Sequence, residues 1–252
     1  MKDILETLKN SDLTEYAPIP FWSWNNRLEK DKLLAQIRDM KSAGMGGFII
    51  HARTGLTTEY LSEKWFSLIE ACLDEAKALG MNAWIYDENG WPSGFAGGKL
   101  LEEEENLAPY LVKEERAEFD ETAFAVFEKT GAGLRRLQKG EVSGDEVYHT
   151  VYVRRSPANT DILEPKVVDK FLALTHEEYY RRFSERFGKE LVGFFTDEPQ
   201  YFREALPWSK VIPSEFRKAY GYDVADGLIC LFKSSDGAFA FRNDFWKLVS
   251  RL

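Results

Sequence analysis

Four short apolar runs, each followed at once by polar residues, recur along this 252-residue chain. They are too short for helices and rich in aromatic and β-branched side chains, which is typical of buried strands. Because strands buried on both faces are characteristic of parallel sheets, we expect the four to be adjacent and parallel. The predicted strands are Phe21–Trp24, Gly47–Ile50, Ala83–Tyr86 and Leu191–Phe195.

Helical segments separate the first three strands. Apolar residues recur at helical spacing between residues 28 and 43, and Gly44 ends that segment. Ser62 is a predicted N-cap for a second helix that continues to Leu79, with Gly80 as its stop. Strand and helix therefore alternate about every 30 residues, the spacing expected of βα units in a parallel sheet.

The same periodicity predicts several further helices. Within one of them, Thr175 and Glu178 have the spacing of a capping box, in which the threonine side chain would accept a backbone hydrogen bond. The predicted helices are Lys2–Asn10, Pro165–Leu174, Thr175–Phe187, Pro213–Tyr220 and Asp236–Leu252.

The pattern changes between residues 110 and 155, where alternating apolar residues and glycine-containing turns predict antiparallel strands. The predicted fold class is therefore α/β: the first four βα units of a partial (β/α)8 TIM barrel, with an antiparallel β insertion after strand 3. The predicted domain boundaries are 1–99 for the first part of the barrel, 100–160 for the insertion and 161–252 for the barrel continuation. A closed barrel needs eight strands, so we expect the chain to be a fragment of a longer multi-domain protein.

Polar residues stand where the predicted strands end. In parallel α/β folds the carboxyl ends of the strands meet at one rim, and that rim carries the chemistry. Aromatic side chains at such a rim would suit the apolar CH faces of a sugar. The candidate site residues are Trp24, Asn25, His51, Arg53, Asp87, Glu88, Trp91, Asp197, Glu198 and Tyr201.

Charge and composition narrow the classes of partner. The formal net charge is −9 and no basic patch offsets it, so we expect no nucleic-acid partner. No apolar stretch is long enough to span a membrane, and the N-terminus lacks an apolar signal core. We therefore predict a cytoplasmic protein without a membrane partner.

Metal-ligand patterns are missing from the sequence. Cys72 and Cys230 lie far apart, and Cys72 falls on the apolar face of a predicted helix, as expected of a buried thiol. His51, His149 and His176 have no ligand spacing, so we expect neither a zinc site nor any required cofactor.

Four motifs give the chain a family resemblance. It resembles the catalytic barrel of bacterial glycoside hydrolases, most closely family 106, the α-L-rhamnosidases, over about residues 16–100 and 165–225. The Tyr-Asp-Glu motif is fairly specific, whereas Asp-Glu-Pro alone is a weak signal. The motifs are Pro20–Asn25, Met45–Arg53, Tyr86–Gly98 and Phe195–Pro199.

The resemblance implies a (β/α)8 barrel that hydrolyses a glycosidic bond, with α-L-rhamnosides as the implied substrates. It also implies a catalytic carboxylate pair and a calcium ion near the sugar. Glycoside hydrolysis needs one carboxyl group to protonate the leaving oxygen and another to act as nucleophile or to activate water.

Roles for the candidate residues follow from that chemistry. Adjacent side chains on an extended strand point to opposite faces, so we expect only one of Asp197 and Glu198 to face the cleft, and we assign the acid to Glu198. Glu88 is the predicted partner carboxylate, although it and Asp87 could instead hold sugar hydroxyl groups. His51 and Arg53 are predicted to bind hydroxyl groups or orient the acid, while a structural role for His51 is equally compatible with the sequence.

Two rival classes of function remain open. A non-catalytic carbohydrate-binding module or an inactive truncated barrel would keep the aromatic rim without a complete acid pair. An isomerase or aldolase barrel would instead show a phosphate site or a lysine at a strand end, and no lysine follows any of the four strands. A partial barrel also leaves open sheet edges, through which we expect a homodimer.

Overall fold

The computed structural model describes residues 6, 16–131, 133–144, 147–201, 205–234 and 237–252. The chain divides into two compact units. We call them the parallel-sheet unit, Met1–Lys99 with Lys170–Pro199, and the antiparallel-sheet unit, Leu100–Asp169 with Gln200–Leu252. The boundaries expected from the sequence, at 1–99, 100–160 and 161–252, stay a prediction. The helix predicted at Lys2–Asn10 lies, apart from Glu6, outside the described residues.

The parallel-sheet unit contains four strands in the order β1-β2-β3-β8, and every neighbouring pair is parallel. This confirms the predicted parallel sheet, while closure into a barrel stays a prediction. The strands are β1 Phe21–Trp24, β2 Gly47–Ala52, β3 Asn82–Asn89 and β8 Leu191–Phe195.

Helices Lys30–Ser42 and Glu63–Leu79 connect the first three strands, and Pro165–Leu174 and His176–Phe183 precede β8. The Ser62 side chain accepts a hydrogen bond from the Trp65 amide, so the predicted N-cap is confirmed. Gly80 ends the same helix in the left-handed conformation, with φ of 59°.

The register of the parallel sheet decides which side chains share a face. Phe21 pairs with Ile49, and Tyr86 pairs with Phe195. Because side chains alternate along a strand, the other face carries residues such as Phe48, Ile50 and Ile85. That second face packs in one buried cluster with apolar residues of the connecting helices, and so the core of this unit lies on the helix side of the sheet.

The antiparallel-sheet unit contains a five-stranded sheet in the order β6-β5-β7-β4-β9. Its strands are β4 Leu107–Arg116, β5 Ala125–Thr130, β6 Gly133–Leu137, β7 Tyr148–Thr160 and β9 Leu206–Pro207. The prediction of antiparallel strands between residues 110 and 155 is thus confirmed. Helices Ile212–Tyr220, Val224–Gly227 and Ala238–Val249 complete the unit, and their apolar residues share a core with the sheet.

Among the described ranges, no helix is both long enough and apolar enough to cross a membrane.

A buried carboxylate makes the stability of the antiparallel-sheet unit depend on pH. The side chain of Asp161 accepts hydrogen bonds from the Ser209 hydroxyl and the Leu163 amide, yet the residue is only 5% exposed. Burial raises the pKa of Asp161 from 3.8 to about 6. The folded state therefore holds this proton more tightly than the unfolded chain, and stability falls as pH rises from about 4 to about 6.

Replacing Asp161 with Asn should remove this pH dependence, because the amide fills the same space without ionising. The shift of about two pKa units corresponds to about 3 kcal/mol, so wild type should lose up to that much more free energy of unfolding than Asp161→Asn between about pH 4 and pH 7. Urea unfolding at the two pH values measures this. Exposed Asp169→Asn is the control, and parallel pH profiles for wild type and Asp161→Asn would contradict the prediction.

Candidate functional site

Four ring side chains pack together on the sheet face that is turned away from the helices. Tyr86 stacks on His51 with ring centroids 3.6 Å apart, and Phe195 lies parallel to Tyr86 at 6.0 Å. Phe21 meets these rings edge-on, at 4.8 Å from Phe195, and remains 49% exposed. We call this group, Phe21, His51, Tyr86 and Phe195, the aromatic platform. Phe21 and Phe195 are partly exposed and offer apolar surface to a sugar ring, whereas Tyr86 and His51 are buried.

Asp197 lies beside the platform, two residues after Phe195. The Tyr86 hydroxyl donates to Asp197 Oδ2 over 2.9 Å, and the carboxylate is half-buried. Burial and the Asp197 carboxylate both raise the pKa of Tyr86, so Tyr86 stays a hydrogen-bond donor at neutral pH. The structure thus joins Asp197 directly to the aromatic platform.

The surroundings of His51 favour its neutral form. Burial lowers the pKa of His51 and Arg53 lowers it further, while the Gly90 carbonyl and Asp197 oppose that change. Nε2 lies 3.4 Å from the Gly90 carbonyl oxygen, to which it can only donate. Nδ1 is then an acceptor suited to a hydroxyl group.

Asp87 follows Tyr86 and points to the opposite face of the sheet, where it is fully buried. Ser93 Oγ donates to Asp87 Oδ1 over 2.5 Å and Thr196 Oγ1 donates to Oδ2 over 2.6 Å. His176 Nε2 lies 3.6 Å from the same Oδ2. Burial raises the pKa of Asp87 and lowers that of His176. Asp87 therefore belongs to a closed polar cluster rather than to the platform.

The capping box predicted at Thr175 is wrong. Thr175 does not cap the following helix through its side chain. Its hydroxyl instead donates to the Phe171 carbonyl over 2.7 Å, and the same oxygen lies 3.0 Å from His176 Nδ1. The threonine orients the histidine rather than the helix N-terminus.

Glu88 is fully buried and surrounded by main-chain donors. Its two carboxylate oxygens accept hydrogen bonds from five backbone amides, those of Asn89, Gly94, Phe95, Ala96 and Gly97. Burial raises the pKa of Glu88, and these donors oppose that rise. The carboxylate holds the loop after β3 in shape, and this geometry favours a structural role over the acid–base role expected from the sequence.

The loop around Glu88 needs glycine at one position above all. Gly97 has φ of 68°, and a Cβ atom there would lie 2.9 Å from the ring of Tyr60. A side chain would therefore clash with a buried residue and strain the backbone as well.

Glu198 is exposed and adopts the left-handed conformation with φ of 43°. The strict alternation of an extended strand ends there, so the expectation that only one of Asp197 and Glu198 faces the cleft no longer follows from strand geometry. The Glu198 side chain forms no hydrogen bond or ion pair with the described residues, so its carboxylate is available to a ligand. A left-handed glutamate costs about 1 kcal/mol relative to glycine.

The remaining candidates are Trp24, Asn25, Trp91 and Tyr201. Trp24 is 1% exposed and packs edge-on against Trp65, in the helix-side core. Trp24 and exposed Asn25 line a cavity of about 280 Å³ at the carboxyl end of β1. Trp91 is 40% exposed in the loop after β3. Tyr201 belongs to the antiparallel-sheet unit.

Six residues of this arrangement were not among the candidates from the sequence: Phe21, Tyr86, Ser93, Phe195, Thr196 and His176. Ser93 lies inside the long motif after β3 and Thr196 directly precedes Asp197, so proximity to the acids was the only signal for either. Nothing in the sequence indicates that His176, about 90 residues from Asp87, would lie beside it.

The donor set does not fit a calcium ion. Calcium takes six to eight oxygen ligands, whereas the oxygens of Asp87 and Glu88 already accept hydrogen bonds. Within the described ranges, no group of three or more His, Cys, Asp or Glu residues could hold a metal ion. We therefore derive no chemical step through a metal.

Comparison with known proteins does not assign the chain to a family. No family model matches the chain, and no curated protein matches it. A solved structure titled as a rhamnosidase from Novosphingobium sp. PP1Y aligns with a TM-score of 0.36 and 20% sequence identity. The alignment covers 50% of this chain and 12% of that one, so the chain spans only a small part of that protein.

Glu88→Gln should destabilise the parallel-sheet unit strongly. The amide nitrogen would turn two N–H donors toward backbone N–H donors that now bind a carboxylate oxygen. Leaving such donors buried and unpaired costs about 2–5 kcal/mol in the free energy of unfolding. Urea unfolding measures the loss, and Glu59→Gln, at an exposed position of the same unit, should change stability by less than about 0.5 kcal/mol. A Glu88→Gln protein as stable as wild type but inactive would favour a catalytic Glu88 instead.

Proposed function

We propose that the chain carries the sugar-binding and acid–base residues of a glycoside hydrolase, with an α-L-rhamnoside as the first substrate to test. One observation carries the proposal: Asp197 and Glu198 follow β8 directly, and Asp197 is bonded to an aromatic platform formed by β1, β2, β3 and β8. Glycosidic cleavage uses a pair of carboxyl groups beside the scissile bond, and aromatic side chains next to them can stack on the sugar ring.

In this proposal Glu198 donates the proton to the leaving oxygen, because its carboxyl group is exposed and forms no bond with the described residues. Asp197 is the partner carboxylate, held by Tyr86. His51, through its acceptor Nδ1, and Arg53, half-buried beside it, bind hydroxyl groups of the sugar. Glu88 shapes the loop after β3 and takes no part in proton transfer.

Glu198→Gln should reduce kcat on aryl glycosides by about 10²–10⁴-fold, since the amide cannot supply a proton. The assay uses the 252-residue chain with aryl glycosides that differ in the sugar, with the α-L-rhamnoside among them, and in the acidity of the phenol leaving group. The loss should be smallest for the substrates with the most acidic leaving groups, which need least protonation. Glu59→Gln is the matched control and should keep wild-type rates. Equal rates for Glu198→Gln and wild type would remove Glu198 from the mechanism.

A second candidate is a carbohydrate-binding module without turnover. The observation that favours it is that five backbone amides enclose Glu88, so the partner carboxylate predicted from the sequence is closed to a substrate. Asp197 is then the remaining candidate for the partner of Glu198. Calorimetric titration of the same sugars distinguishes the two. Binding that Phe21→Ala weakens, without turnover in wild type, would support the module, whereas absence of both binding and turnover would exclude both candidates.

We also propose that the chain forms a homodimer through an open edge of the parallel sheet. Among the described strands β1 and β8 are the edges, and Val192 on β8 is 39% exposed. Val192→Lys places a charge on that edge and should shift the dimer toward monomer in light scattering. Leu174→Lys, at a helix position that is 36% exposed, is the control. A monomeric wild type at high micromolar concentration would contradict this proposal.

A further inference from the structure

Ser93 connects the end of β3 to the end of β8. It lies in the loop after β3 and is 2% exposed. Its hydroxyl donates to Asp87 Oδ1 over 2.5 Å and accepts from the Asp197 amide over 2.9 Å. Its own amide donates to the Asp197 carbonyl over 2.9 Å. Three hydrogen bonds therefore fix Ser93 between the two acidic residues.

The direction of each bond at Ser93 is settled by proton counting. An amide can only donate, so the Ser93 oxygen must accept from Asp197 and must send its single proton to Asp87. The hydroxyl proton is thus committed to Asp87, and the burial of Ser93 keeps its oxygen from an external ligand.

Asp87 is itself held from the side opposite Ser93. Thr196 donates to its Oδ2, and His176 Nε2 lies 3.6 Å from the same atom. Thr175 Oγ1 lies 3.0 Å from His176 Nδ1, so the threonine hydroxyl holds the ring with Nε2 toward Asp87.

Asp197 is restrained at both its main chain and its side chain. Ser93 holds the backbone amide and carbonyl, and Tyr86 donates to Oδ2. A shift of the Asp197 backbone would therefore change the length of the Tyr86 bond. The buried cluster behind the sheet can in this way set the position of a carboxylate on the platform face.

We infer that Ser93 is a positioning residue, which fixes the Asp197 carboxylate against the aromatic platform by tying its main chain to buried Asp87. As a statement about catalysis, this rests on the proposed glycosidase function. As a statement about the Asp197–Tyr86 contact, it stands on geometry alone.

The test replaces Ser93 with Ala and follows two readouts. The first is the alkaline titration of Tyr86, observed by NMR in tyrosine-labelled protein and assigned with Tyr86→Phe. Burial and its hydrogen bond to Asp197 both hold its pKa above the usual value, so Ser93→Ala should lower the midpoint of the titration. The second is steady-state kinetics, in which kcat should fall by about 10- to 100-fold with little change in KM.

A second variant and a control distinguish the loss of specific hydrogen bonds from unfolding of the chain. Thr196→Val keeps the shape of an exposed residue but removes the hydroxyl that holds Asp87 Oδ2, and it should produce a smaller change of the same kind in both readouts. Ser67→Ala removes an exposed serine hydroxyl that bonds within its own helix and should leave both readouts unchanged.

The outcomes distinguish the positioning role of Ser93 from the glycosidase function. An unchanged Tyr86 titration in folded Ser93→Ala would overturn the positioning role, whatever the kinetics show. A shifted titration in a chain whose wild type cleaves no glycoside would support positioning of Asp197 and refute the glycosidase function. A shifted titration with a fall in kcat supports both.

Discussion

The structure of the parallel-sheet unit depends on the need to satisfy two buried carboxylates at the end of β3. Asp87 and Glu88 are both fully buried, and an unpaired buried charge is among the most costly features a fold can contain. The chain meets this requirement in two ways. Backbone amides of the following loop converge on Glu88, and hydroxyl groups from separate segments converge on Asp87. The hydrogen bonds to Glu88 determine the path of residues 89–97. The hydrogen bonds to Asp87 reinforce the attachment of β8 to β3.

The burial of these carboxylates gives the two faces of the sheet different surroundings. Successive residues of β3 point to opposite sides, so Tyr86 enters the aromatic platform while Asp87 enters the buried cluster. The platform face is partly open, with Phe21 half exposed, and is suited to a ligand. The cluster face is closed and can only hold parts of the protein in place. Ser93 lies between the two, since it bonds Asp87 on one side and the main chain of Asp197 on the other.

Much of the fold could be predicted from the sequence, because it depends on local patterns. Short apolar runs identified β1, β2, β3 and β8, and glycine with helical spacing identified the connecting helices. The candidate site was harder to predict, because it depends on the direction in which each side chain points and on hydrogen bonds from main-chain groups. Trp24 was expected at a sugar site, but its place in β1 turns it toward the helix layer and Trp65. Glu88 was expected to react, but the backbone amides that enclose it leave no signature in side-chain identity.

The contrast between the acids of β3 and those after β8 supports the proposed assignment of chemistry. A carboxylate whose oxygens are filled by protein donors cannot take up and release a proton without breaking those bonds, and this describes both Asp87 and Glu88. Asp197 has one oxygen engaged by Tyr86, and Glu198 forms no bond with the described residues. Glu198 is also held in a backbone conformation that glycine would adopt at lower cost. Strain retained at an exposed acidic side chain is typical of functional positions. These contrasts support the proposal that proton transfer belongs to the end of β8, with the acids of β3 as its structural support.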